Sequence, residues 1–162
     1  MRSSARLPLF TLVASVGALG TALLSQYVGG LQPCVLCIYQ RWPYVVVIVL
    51  SAAALTLAGP RLRMTLAGLA GIAFLVGAGI AGFHVGVEQH WWHGTAQCGG
   101  NVVTPSSIEA LRAHLSQAPV AACDAPAFTL LGISMAGFNL ILSLVLGLVT
   151  LLGALRLGGR AA

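Results

Sequence analysis

Two thiols and one fixed positive charge stand close together in the stretch Pro33-Cys34-Val35-Leu36-Cys37-Ile38-Tyr39-Gln40-Arg41. If a helix starts at Pro33, a residue favoured in the first turn because its missing N–H would be unpaired anyway, then Cys34, Cys37 and Arg41 are spaced i, i+3, i+7. At about 100° per residue they share one face, within roughly 60° of arc. Cysteine reacts as its thiolate, and a helix N-terminus or a nearby cation lowers its pKa from about 8.5 into the range of roughly 3.5 to 7.5. The stretch therefore has the outline of a redox site.

A C-x-x-C pair also serves zinc sites and haem attachment. Covalent haem needs a histidine where Ile38 stands. A structural zinc site would use all four thiols, yet Cys98 and Cys123 are far apart in a loop with no second C-x-x-C. No metal is expected. The remaining alternative is a membrane scaffold whose disulfides are only structural. Against it, a C-x-x-C disulfide closes a very short loop and gains little from restricting the unfolded chain. Strained or exposed disulfides are the more oxidising ones and tend to be catalytic. Which disulfides form stays open, since four cysteines allow three connectivities.

The elements that must position these groups follow from composition. Of 162 residues, 58% are hydrophobic and only 7% charged, with a mean hydropathy of +0.95. A soluble domain carries about 25% charged residues. A hydrocarbon core about 30 Å thick needs roughly 20 apolar residues per helix, and four runs qualify, at about 7–28, 34–58, 64–85 and 128–155. The expected fold is an all-α membrane protein, a single four-transmembrane-helix bundle over residues 1–162 with two periplasmic loops.

The net charge of +5 reports topology, with no nucleic acid implied. Arg2 and Arg6, Arg61 and Arg63, and Arg156 and Arg160 fall on one side of a four-span chain, and arginine-rich short loops mark the cytoplasmic side. Both termini are then cytoplasmic. Glu88, Glu109, Asp124 and all four cysteines fall on the opposite side, where disulfides persist. The first run also has the basic start of a signal peptide, but it exceeds the usual h-region of about 7 to 15 residues. It is read as an uncleaved first helix.

Pro43 is expected to kink the second helix, bracketed by Tyr39, Trp42 and Tyr44 as interfacial aromatics. In the third run Ala78, Gly82 and Gly86 form a small-xxx-small series, explained by packing inside one bundle as well as by dimerisation; a monomer is expected. Glu88, His90, Trp91, Trp92 and His93 suit a membrane interface. In the long second loop Ser106 and Glu109 are spaced as a capping box. With Ile108, Leu111 and Leu115 as an apolar stripe, this predicts a short amphipathic helix on the outer surface. Asn139 is the one strongly polar member of the fourth run.

The stretch from Pro33 to Arg41 resembles the signature of the DsbB family of disulfide-forming inner-membrane proteins. The second cysteine pair, and the run from Cys123 to Phe128 followed by Leu131-Gly132-Ile133-Ser134-Met135, are similar to that family as well. The resemblance implies an enzyme, a protein-dithiol:quinone oxidoreductase of the bacterial inner membrane. It would reoxidise a DsbA-like periplasmic thioredoxin-fold partner and pass the electrons to a quinone, ubiquinone or menaquinone. It implies that the partner attacks a loop-two disulfide at Cys98, that Cys123 then exchanges with Cys34, and that Cys37 with Arg41 faces the quinone. His84 and His90 are candidates for contact with the quinone head group, and Glu88 is left outside the site. The acceptor must lie above the DsbA couple, near about −120 mV, because each 30 mV uphill costs about 1.4 kcal/mol. Nicotinamide is too reducing. The alternative within the same chemistry is a vitamin-K-epoxide-reductase-like enzyme, against which the position of the C-x-x-C at the start of the second helix argues.

Overall fold

The computed structural model describes residues 2–57, 59–95, 98, 107–109 and 121–158. Helix α1 covers Arg2–Tyr27, α2 Val35–Tyr39, α3 Arg41–Thr56 and α4 Pro60–Glu88. A two-stranded hairpin of β1 (Thr129–Leu130) and β2 (Ile133–Ser134) precedes α5, Met135–Gly158. Four stretches are long and apolar enough to cross a membrane: Ala5–Tyr27, Val35–Thr56, Pro60–Glu88 and Met135–Gly158. The chain is an all-α, four-helix, multi-pass membrane protein. Its outer faces expose residues such as Val13, Val49, Val76 and Leu152, the apolar surface that lipid covers.

The expected second helix is divided. Pro43 has no N–H to offer and its ring crowds the carbonyl four residues back, that of Tyr39. The helix accordingly stops at Tyr39 and resumes at Arg41, with Gln40 joining the two pieces. Pro33 does not open it: Cys34 is the N-cap and Val35 the first helical residue. Tyr44, expected among the interfacial aromatics, is instead buried against Phe74, ring centroids 5.8 Å apart. Tyr39 and Trp42 are exposed.

The third span runs three residues beyond its expected end and begins at Pro60 in the first helical turn. The fourth begins later than expected, at Met135 instead of residue 128. Thr129 pairs with Ser134 and Leu130 with Ile133, and the two residues between them, Leu131 and Gly132, have φ of 53° and 79°. Two successive positive φ values are what a tight hairpin turn requires. The amphipathic helix expected from Ser106 to Leu115 lies outside the described residues, except that Ile108 and Glu109 are helical.

Close packing of α4 on α5 forms the spine of the bundle. A side-chain carbon on Gly71 would lie 2.9 Å from the backbone of Leu151, and one on Gly147 2.7 Å from Leu75. These glycines let two backbones approach as larger residues could not. The small-xxx-small series also works inside the chain: Gly82 faces Leu140 of α5, and the Trp92 ring covers Gly86. Between α1 and α3, Thr11 and Ser51 hydrogen-bond at 2.8 Å. Leu7 near the start of α1 reaches Gly153 near the end of α5, and Met64 reaches Gly158. The arginine-bearing ends therefore gather at one end of the bundle, and Cys34, His84 and Ser134 at the other.

Candidate functional site

At the cysteine end, α1, α2, α3, α4 and α5 enclose a cavity of about 470 Å³. Helix α2 and the first turn of α3 supply Cys37, Gln40, Arg41 and Tyr44, spaced so that one continuous face looks inward despite the break at Gln40. Helix α4 supplies His84 and Glu88, one turn apart, and α5 supplies Asn139. Cys34, Cys37 and Arg41 thus line one space, as their spacing implies.

Cys34 takes the N-cap position, where a side-chain acceptor usually meets an unpaired N–H of the first turn. Its sulfur accepts the backbone N–H of Cys37 at 3.3 Å. The two sulfurs are 2.9 Å apart, as free thiols, and His84 Nε2 lies 3.5 Å from Cys34 Sγ. Cys34 sits just outside the second span. Its thiol is held below the usual range, first by the hydrogen bond from Cys37 and then by His84 and the Cys37 N–H, against the opposing effect of burial. Helix α2 is only five residues long, so the local contacts matter here more than a macrodipole.

A lowered pKa keeps the thiolate populated as pH falls, and an ordinary thiol with a pKa near 8.5 does not. In the reduced protein, iodoacetamide labelling of Cys34, located by mass spectrometry, should keep a nearly constant rate from about pH 8 down to about pH 6. A fall of about tenfold per pH unit across that range would show an ordinary thiol.

The second cysteine pair is a disulfide, Cys98–Cys123. The Cys123 N–H donates to the Cys98 carbonyl at 3.2 Å, and the Cys98 N–H to the Thr95 carbonyl at 2.7 Å. Gly94 is needed beside it, since a side-chain carbon there would lie 2.6 Å from the Cys98 Cβ. Cys34, Cys98 and Cys123 are buried in one apolar cluster with Leu36 and Val87, and Cys37 packs against it. Both pairs thus share one apolar cluster at the end of the bundle.

The candidate histidines separate. His84 is 3% exposed and faces Cys34. His90 is exposed, with φ of 58°, where the chain turns out of α4, and it does not line the cavity. Trp91 and Trp92 next to it are exposed, with Trp92 stacked on Phe83.

Four residues of the cavity were not singled out by type and spacing. Glu88, assigned above to the interface, is buried, accepts a hydrogen bond from Ser134 and lies 3.8 Å from His84 Nε2. Gln40 Nε2 donates to His84 Nδ1 at 2.7 Å. Asn139 Nδ2 donates to Gln40 Oε1 at 2.5 Å, and the Tyr44 hydroxyl donates to Asn139 Oδ1 at 2.5 Å. Asn139 carried a usable signal, because a lone strongly polar residue in a membrane span is costly unless it faces the bundle interior. Arg41 reaches across to α1, its Nη1 donating to Gln26 Oε1 at 2.5 Å.

Chemically, the pocket brings a free dithiol, a disulfide and a guanidinium to one end of a membrane bundle. These are the groups that thiol–disulfide exchange requires. The family model for disulfide bond formation protein DsbB matches residues 4–153. A disulfide bond formation protein B of Ralstonia nicotianae is 31% identical over 160 residues, covering 91% of this chain and 92% of the relative. One from Cupriavidus necator is 30% identical over 160 residues, covering 91% of each. An uncharacterized protein of Rickettsia prowazekii is 32% identical over 142 residues, 86% of this chain and 81% of the relative. No solved structure matches. The match runs through all four spans and both cysteine pairs, and on it the chain belongs to the DsbB family of disulfide bond formation proteins.

Proposed function

We propose that this chain reoxidises a DsbA-like thioredoxin-fold protein in the bacterial periplasm and passes the electrons to a quinone of the inner membrane. The observation that carries the reading is the shared pocket, with a Cys98–Cys123 disulfide and the Cys34–Cys37 dithiol in one apolar cluster beside a cavity at the end of the spans. The arginine-bearing ends lie at the other end of the bundle and would be cytoplasmic.

Atoms and electrons balance through four thiol–disulfide exchange steps and one oxidation. A partner thiolate attacks Cys98, the Cys98–Cys123 bond breaks, and the electron pair leaves on Cys123. Cys123 attacks Cys34 of a Cys34–Cys37 disulfide and releases Cys37 as a thiolate. The partner's second thiol then resolves its bond to Cys98 and departs oxidised. Cys98 attacks Cys123, restores the outer disulfide and leaves Cys34 reduced. This end point has the sulfur states of the present structure. Cys98 is only 2% exposed, so the partner's attack requires displacement of what covers it.

The cavity fits an aromatic acceptor. About 470 Å³ lies within the usual range of roughly 300–1,000 Å³ for small-molecule sites, and it is mostly apolar with a few polar groups. A quinone bound there would take up two electrons and two protons as Cys34 and Cys37 form their disulfide. Arg41 lines the same cavity and contributes a fixed positive charge there, which would favour negative charge on an acceptor oxygen. Stabilising the thiolate form of the dithiol makes its disulfide the more oxidising, as a pair that must draw electrons from a strong oxidant requires.

The test is to reduce the four cysteines in membranes and count thiols with and without added ubiquinone or menaquinone. Thiols that disappear only when quinone is present support the reading. Disulfides that resist mild reductant, or thiols indifferent to quinone, would make the chain a scaffold with structural disulfides.

A further inference from the structure

His84 is flanked by groups that settle where its proton lies. Gln40 presents its amide nitrogen to Nδ1 at 2.7 Å, and an amide nitrogen can only donate. Gln40 stands in that sense in the structure: its oxygen accepts from Asn139, whose own oxygen accepts from the Tyr44 and Ser143 hydroxyls. The donors thus run from Tyr44 and Ser143 through Asn139 and Gln40 to His84. On the other side of the ring, Nε2 faces two acceptors, Cys34 Sγ at 3.5 Å and Glu88 Oε1 at 3.8 Å. With a donor on Nδ1 and acceptors on Nε2, the neutral ring carries its hydrogen on Nε2.

We propose that Tyr44, Asn139 and Gln40 lock His84 as the Nε2–H tautomer, and that this N–H is the fixed hydrogen-bond donor to Cys34 Sγ when Cys34 leaves as a thiolate. The inference rests on the exchange sequence proposed above. In that step Cys98 attacks Cys123, the Cys34–Cys123 bond breaks, and the electron pair arrives on Cys34 Sγ. His84 lowers the energy of that charge without giving up its proton. His84 is the catalytic residue, since it touches the reacting sulfur; Gln40 and Asn139 are positioning residues. The same lock speaks against a metal at this point. Ligand atoms of Cys34, Cys37 and His84 lie within 4.8 Å of one another, but metal ligation uses a lone pair, and the Nε2 lone pair is occupied by hydrogen while the donor chain holds.

The experiment uses the full-length reduced protein, labelled with ¹⁵N-histidine, with neither quinone nor partner present. The His84 ring should show a protonated, pyrrole-type Nε2 and an unprotonated, pyridine-type Nδ1 at neutral pH. A proton on Nδ1, or on both nitrogens, would overturn the proposal. In Asn139→Leu, Gln40 loses the donor that orients it. Hydrogen then redistributes between the ring nitrogens, and the pH at which Cys34 alkylation falls to half its plateau rate rises by about one unit, the tenfold change in ionisation expected for one hydrogen bond to a charged acceptor. A folded Asn139→Leu with wild-type tautomer and wild-type alkylation pH profile would equally defeat it. If that variant does not fold, the wild-type spectrum decides alone. Neither measurement involves electron transfer to quinone, so a failure of the functional reading would be seen separately, in the thiol count.

Discussion

Replacing Cys37 by serine should abolish quinone-dependent oxidation of a reduced DsbA-like partner, with turnover falling by on the order of a thousandfold or more, as when a nucleophile acting in a concerted set is removed. The loss follows from electron counting. Cys34 and Cys37 hold two electrons as a dithiol and release them by forming one bond, and a hydroxyl cannot take part in that bond. The change should leave the fold intact, because serine is smaller than cysteine and Cys37 packs only at the margin of the cluster that holds Cys34, Cys98 and Cys123. The helix start keeps its cap as well, since the Cys37 contribution there is its backbone N–H. Purified Cys37→Ser assayed with reduced partner and quinone decides the matter. Turnover equal to wild type would remove Cys37 from the pathway.

The grouping of Cys34, Cys37 and Arg41 was legible in the sequence because type and spacing alone carry it. A C-x-x-C with an arginine four residues on occupies one helical face, and that holds whether the helix begins at Pro33 or, as found, at Val35. The spans were legible because hydropathy needs no tertiary information. The start of the fourth span was misjudged for a physical reason: Phe128, Leu130, Leu131 and Ile133 are apolar enough to extend a hydropathy window, although they form a hairpin. The local sign of that hairpin was present, a glycine in a two-residue turn between short runs rich in β-branched residues.

What could not be read was how the helices face one another. Gln40, Tyr44, Glu88 and Asn139 meet because of helix rotation and the break that Pro43 imposes, and their contacts span distant parts of the chain. His84 was placed near the right end of the third helix, yet nothing in the sequence indicates that its ring lies between Gln40 and Cys34. Glu88 was assigned to the interface by its place at a helix end, and Ser134, in the unforeseen hairpin, brings it inside. The polar network is therefore a property of packing, and its one sequence sign was the isolated Asn139.

Arg41 offers the complementary result on the acceptor side. It is the one arginine or lysine lining the cavity among the described residues, and its guanidinium is tied to α1 through Gln26. In apolar surroundings a preorganised cation acts far more strongly than in water. Arg41→Ala should therefore raise the quinone KM or lower kcat by about ten- to a hundredfold, the range for losing one charge-assisted hydrogen bond at a half-buried site. Arg41→Lys should recover part of the loss, since it keeps a positive charge but gives up the planar fork. Simple packing support from the side chain would give a different pattern, with lysine no better than a neutral residue of similar length such as methionine. The measurement is steady-state oxidation of reduced partner over a range of quinone concentrations. If Arg41→Ala leaves both KM and kcat unchanged, the guanidinium holds α3 to α1 through Gln26 and takes no part in electron transfer.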